Sequence, residues 1–161
     1  MKLLIVLLVC CGLLVLSLNM PAKPGNIGGR CQMRGVLPDP ICTPGSTNPN
    51  VTVLNLKETI CLSGWTATAR PPVSYTNTLK LKQMQDYGFT DGPAAHEEDH
   101  LIPLSIGGHP TDPKNLWPQP EAAPNPKDAV ENRLHDAVCS GAMALGEAQK
   151  RIATDWQTAI K

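Results

Sequence analysis

The placement of cysteines constrains this chain more than any other feature. Cys31, Cys42, Cys61 and Cys139 are spread over most of its length, whereas Cys10 and Cys11 sit inside an apolar N-terminal run. That run, "LLIVLLVCCGLLVLSL", covers 16 residues and follows Lys2. A membrane-spanning helix needs about 20 residues, so the run reads as the apolar segment of a secretory signal. Cleavage positions follow Ser17 and Ala22, and residues 1–22 are assigned to the leader, with an uncleaved N-terminal membrane anchor as the alternative. Four cysteines then remain in an exported chain. An even number in an oxidising compartment reads as two disulfides, for which three pairings exist. A zinc knuckle needs cysteines a few residues apart, and none of the four is so placed. The pairing favoured here joins Cys31 to Cys42 across a short Pro/Gly-rich loop. Cys61–Cys139 would then staple the N-terminal half to the C-terminal helices.

At 161 residues the chain has room for one domain with a modest core, placed at 23–161. Its 14 basic and 14 acidic residues cancel, and the loss of Lys2 with a leader tips the balance slightly negative. Proteins that coat nucleic acid by broad electrostatics carry a basic excess. Any phosphate chemistry here has to be local, carried by a metal and a few cations.

Residues 23–50 are dense in Pro, Gly and Asn and read as turns pinned by cysteines. "NLKETIC" (55–61) offers Asn55 with Glu58 three residues on, a capping-box pattern that predicts a short helix ending at Gly64. After the Pro71-Pro72 break, Asn77 can cap a helix running to Tyr87, with Gly88 as its stop. Prolines at 118, 120, 124 and 126 forbid a helix before Lys127. From there Val130, Leu134, Ala137 and Val138 recur at helical spacing until Ser140-Gly141. A last helix places Leu145, Ala148, Ile152, Trp156 and Ala159 on one face.

Between these helices lies "EEDHLIPLSIGGHPTDPKNLWPQP" (97–120). Residues 101–106 are apolar, and Pro103 argues against a helix, so a strand from Asp99 turning at Gly107-Gly108 is expected. "LWP" returns as a second strand, and the helix from Lys127 follows. Hydrolysis of a phosphodiester needs a divalent cation, a base for water and something to hold that base. Asp99 is a hard oxygen ligand, and Mg²⁺ typically takes one or two carboxylates plus water and phosphate. His100 titrates near neutrality and suits the base. Neighbours on a strand point to opposite faces, so the pair would diverge unless the strand bends there.

The string D-H-L-I-P-L-x-x-G-G followed by N-L-W-P resembles the core of the HNH endonucleases, the ββα-metal or His-Me finger group. More closely, the chain is similar to small secreted bacterial HNH-like proteins. The blocks shared with them are "LPDPICTPG" (37–45), "TIC" (59–61), "RPP" (70–72), "EEDH" (97–100), "NLWP" (115–118) and a helix over 127–141. The similarity covers roughly residues 31–157. It implies a small disulfide-stapled α+β domain with a ββα-metal core over about 96–140 and flanking helices. It further implies a metal-dependent endonuclease in which His100 is the general base, Asp99 a metal ligand and Asn115 the middle asparagine bracing the loop. Lys127, Glu131 and His135 share one helical face. His135 is the favoured second ligand, Glu131 a ligand or its partner, and Asn132 the rival. The run of prolines between Asn115 and the helix departs from the commonest HNH spacing. The implied cofactor is a divalent ion, Mg²⁺ first, with Mn²⁺ or Zn²⁺ as alternatives. The implied partner is nucleic acid, DNA ahead of RNA, and the place of action is extracytoplasmic. No stable membrane role is expected once the signal is cleaved, and the oligomeric state stays open.

Each residue also has a plainer reading. Glu131 and His135 form an ordinary i,i+4 surface pair as readily as a ligand set. His96 and His109 read as exposed loop residues, and Glu97 shares Asp99's side of the strand. Arg70 and Lys80, with Lys82, could grip phosphates, although solvated charge is the commoner fate of such residues. Trp117 and Trp156 read as packing residues, and Trp65 as core or a base-stacking platform. Two other functions compete with the nuclease. One is a non-catalytic extracellular binding module of the same fold. The other is a metal-dependent hydrolase of a different phosphodiester.

Overall fold

The computed structural model describes residues 29–121 and 123–161, so the expected leader with Cys10 and Cys11 lies outside the described residues. Helix α1 (Trp65–Ala69) and helix α2 (Val73–Tyr87) precede strand β1 (His96–His100). Strand β2 (Leu116–Pro120), helix α3 (Pro126–Cys139) and helix α4 (Leu145–Asp155) follow, with 3-10 turns at Pro93–Ala95 and Leu104–Ile106. The result is a small α+β domain with both expected disulfides, Cys31–Cys42 and Cys61–Cys139.

β1 and β2 pair antiparallel, with His96 opposite Pro120 and His100 opposite Leu116. Pro118 and Pro120 lack the N–H that a central strand must donate. A two-stranded sheet tolerates them because each strand keeps an unpaired edge. α3 begins where the prolines permit. Pro126 takes the first turn, Asn125 accepts the Lys127 N–H at 2.9 Å, and Asp128 accepts the Asn125 N–H at 2.9 Å. This reciprocal capping box satisfies donors that a helix start leaves orphaned.

The main core joins Leu134 and Val138 of α3 to Leu145, Ala148 and Ile152 of α4, with Trp156 and Ala159 just beyond it. Ile102 and Ile106 from the inter-strand loop insert into the same cluster. A smaller cluster sets Tyr87 and Trp117 beside the Cys31–Cys42 bridge. Trp117 and Trp156 pack as expected, and Trp65 is half-buried against the main core.

Four local expectations are corrected. Residues 55–61 form consecutive turns, not a helix. Asn55 spends its side chain on the Thr52 N–H at 2.8 Å and the Asn50 carbonyl at 2.9 Å, closing a turn where a helix cap was expected. Gly64, with φ of 82°, opens α1 instead of ending a helix. α2 starts four residues before Asn77, because Pro72 has a backbone compatible with the residue ahead of a first turn; it ends at Gly88 in the left-handed conformation, as expected. The first strand lies earlier than the apolar run suggested. It ends at His100, and Leu104–Ile106 turn sharply to bury their side chains.

Candidate active site

β1 contributes Glu97, Glu98, Asp99 and His100 in succession, and all four line a cleft of about 230 Å³. Thr66 and Arg70, at α1, form one wall. Pro103, Leu104 and Ser105 form another, and Asp128, Glu131 and Asn132 of α3 close the third. The expected divergence of Asp99 and His100 therefore does not keep either from the cleft.

His100 is buried, and its Nε2 lies 3.0 Å from the Pro110 carbonyl oxygen. A carbonyl only accepts, so Nε2 carries the hydrogen and the neutral ring keeps its lone pair on Nδ1. Burial holds the imidazole below its ordinary pKa, and nearby Arg70 and Lys127 act in the same direction. The Pro110 hydrogen bond and Asp99 oppose them. The ring is thus neutral near pH 7, in the form a general base requires.

Asp99 is buried as well. Its Oδ2 accepts the Trp117 indole N–H at 3.3 Å and lies 2.9 Å from the Lys127 ammonium. Lys127 is wholly buried. It donates to Asp99, to the His100 carbonyl at 2.8 Å and to Glu131 Oε1 at 2.5 Å. Burial weakens an ammonium, but the two carboxylates and their hydrogen bonds outweigh it, so its pKa stands above the ordinary lysine value. Burial pushes Glu131 up to about 7 against the pull of Lys127, with Asp99 adding to the rise. With both carboxylates and a peptide carbonyl around it, the ammonium is the firmly charged member of the group. Glu97 faces α3 and accepts from Asn125 Nδ2 at 3.0 Å. Burial, then the charges of Asp99 and Asp128, raise its pKa.

Neither carboxyl oxygen of Glu98 has a hydrogen-bond partner, and both are buried. Burial lifts this group from 4.5 to about 8, against the pull of Lys80 and with the help of Asp99. Below pH 4.5 both folded and unfolded chains hold the proton and the residue is silent. Between there and about 8 the unfolded chain ionises first, so stability falls as pH rises. Each pKa unit corresponds to about 1.4 kcal/mol. Glu98→Gln should therefore stabilise the protein by on the order of a few kcal/mol at pH 9 and leave it unchanged at pH 4. Denaturant titrations at the two pH values test this, and equal effects at both would refute it.

Asn115 is fully buried and braces the loop between the strands. Its Oδ1 accepts from the Ile102 N–H at 3.0 Å and the Ser46 N–H at 3.4 Å. Its Nδ2 donates to the Ile102 and His109 carbonyls at 2.9 and 3.0 Å. The imidazole of His100 is oriented by Pro110, one residue beyond His109, so Asn115 acts on it through the loop.

Among the other candidates, Arg70, Glu131 and Asn132 reach the cleft, and Arg70 is exposed there. Lys80 does not line the cleft; its ammonium is held by the Pro93 and His96 carbonyls, each at 3.0 Å. Lys82 pairs with Asp86 at 2.7 Å. His135 lies one helical turn beyond Glu131, outside the cleft lining, with Nε2 at 2.9 Å from the Ile60 carbonyl. His109 accepts the N–H groups of Thr111 and Asp112 on Nδ1. His96 is buried, contrary to expectation. Its ring nitrogens meet the Pro118 carbonyl at 3.1 Å and Asp91 at 2.8 Å, and its ring packs on Phe89.

Sequence reasoning missed Lys127 as the hub, Pro110 as the histidine clamp and Trp117 as a donor to Asp99. Only the first left a signal, the Lys127–Glu131 spacing. Among the described residues no three His, Cys, Asp or Glu side chains form a ready-made ion cage. The cleft does offer hard oxygen donors from Asp99, Glu131 and Asn132. Mg²⁺ and Mn²⁺ accept such a set, since one or two carboxylates completed by water and phosphate suffice. Zinc, which favours nitrogen and thiolate, finds only His100 there. Comparison with protein-family models, with curated proteins and with solved structures found no match to this chain.

Proposed function

We propose that this protein is a metal-dependent endonuclease of the HNH type, with residues 96–140 as its ββα-metal core. The observation that carries the reading is a neutral His100 with Nε2 clamped and Nδ1 unbonded, set in a cleft of oxygen donors. Asp99 and Glu131, with the Asn132 carboxamide, would hold the divalent ion. When bound, the ion supplies charge neutralisation at the scissile phosphate and the leaving oxygen. His100 Nδ1 takes a proton from the attacking water. The Pro110 carbonyl keeps the ring in place and favours the imidazolium that results. Arg70, at the rim, meets a non-bridging phosphate oxygen. The two disulfides belong to an oxidising compartment, and action on nucleic acid outside the cytoplasm follows from the same reading, with DNA as the first substrate.

A plasmid-nicking assay with Mg²⁺ or Mn²⁺ on oxidised protein tests this. Nicking should stop on adding EDTA and fall by at least about 100-fold in His100→Ala, the usual share of a general base. One observation favours a second reading. Carboxylates outnumber cations around the cleft, which suits a smaller phosphodiester better than a long polyanion. Turnover of bis(p-nitrophenyl) phosphate with an intact plasmid would select that reading. Binding of DNA with no cleavage would select a non-catalytic module.

A further inference from the structure

We propose that Lys127 sets the divalent-ion affinity of the cleft, by occupying the cation position between its two ligand carboxylates. The inference rests on the reading of Asp99 and Glu131 as ion ligands. An ammonium has three hydrogens, and here three acceptors from different residues take them: Asp99, the His100 carbonyl and Glu131. None of the side chain is exposed, so this is not the solvated i,i+4 pair its spacing suggests. The group stands where a metal shared by the two carboxylates would stand.

A divalent ion arriving at this cleft faces two options. It can displace the ammonium, or it can take only the outward oxygens of a pair that Lys127 has already half neutralised. Either way the ion is held more weakly than two bare carboxylates would hold it. The protein also needs no ion to keep buried Asp99 and half-buried Glu131 together, because its own cation does so. A purely structural tie between β1 and α3 would behave differently. Losing it would lower stability and leave ion affinity unchanged or reduced.

Mn²⁺ titration separates the two, with the free ion followed by its electron paramagnetic resonance signal. The sample is the full protein recovered from an exporting host with both disulfides formed. Lys127→Met should bind Mn²⁺ at least about tenfold tighter than the wild type, and adding Asp99→Asn should cancel the gain. Equal or weaker binding by Lys127→Met overturns the proposal. Should that variant fold only when Mn²⁺ is supplied, as read by near-ultraviolet circular dichroism, the proposal is supported. Should it stay unfolded even in saturating Mn²⁺, Lys127→Gln takes its place under the same criterion. Plasmid nicking is read independently. Tighter Mn²⁺ binding with no nicking by the wild type sinks the nuclease and keeps this inference. Nicking with unchanged affinity in the variant does the reverse.

Discussion

Alanine at position 108 is expected to leave little or no folded protein. A Cβ there would lie 1.7 Å from the Ile102 carbonyl oxygen and 2.9 Å from Asn115 Nδ2. Both neighbours are held, one as backbone and the other by the hydrogen bonds that brace the loop, so neither can yield cheaply. The cost should exceed about 4 kcal/mol, a large part of the roughly 5–15 kcal/mol that holds a domain folded. Gly146 provides the control. It lies in α4 with no atom near its absent side chain, and alanine there should stabilise by about 0.5–1 kcal/mol. Thermal melts of both variants make the comparison. A Gly108→Ala protein melting like the wild type would show that the two loop segments do not approach as described.

The second large effect is expected at Asn115. Alanine there strands the Ile102 N–H and carbonyl and the His109 carbonyl in a buried setting. Unsatisfied buried groups cost about 1–3 kcal/mol each, so the loss over three of them should reach about 3–9 kcal/mol. Asn115→Asp keeps the acceptor but sets a carboxyl oxygen against the Ile102 and His109 carbonyls in a buried setting, so it should unfold in urea no later than the alanine variant. If all three unfold at the same urea concentration, the brace contributes nothing. Under the nuclease reading, the folded fraction of Asn115→Asp should also nick more slowly, because Pro110 sits in the braced loop.

What could be read from the sequence followed local rules. The cysteine pairing was legible because one pair was close in sequence and the other was left over. The C-terminal helices were legible because their apolar spacing and proline boundaries are local facts. The bracing role of Asn115 came from the resemblance and not from a local rule, and its hydrogen bonds do span the loop. The failures came where tertiary structure overrode a local pattern. Residues 55–61 carry a respectable helix start, yet Asn55 finds better partners in the turn around Thr52. His96 looked like a loop residue, and its burial depends on Phe89 and Asp91 on the preceding segment. Lys127 is the clearest case. Its spacing to Glu131 was visible, but an acidic strand closing over the ammonium is a long-range event that no periodicity announces. His135, favoured as a ligand, meets the Ile60 carbonyl, a partner 75 residues away in the chain.

The Cys61–Cys139 bridge carries a consequence of its own. Cys139 closes the helix that bears Glu131, and Cys61 stands just ahead of the helix beside Arg70. One covalent link thus couples opposite sides of the groove. With both thiols reduced that link is absent, and the two flanks are held by packing and by the hydrogen bond between His135 and the Ile60 carbonyl. Ordering of the groove is therefore tied to thiol oxidation.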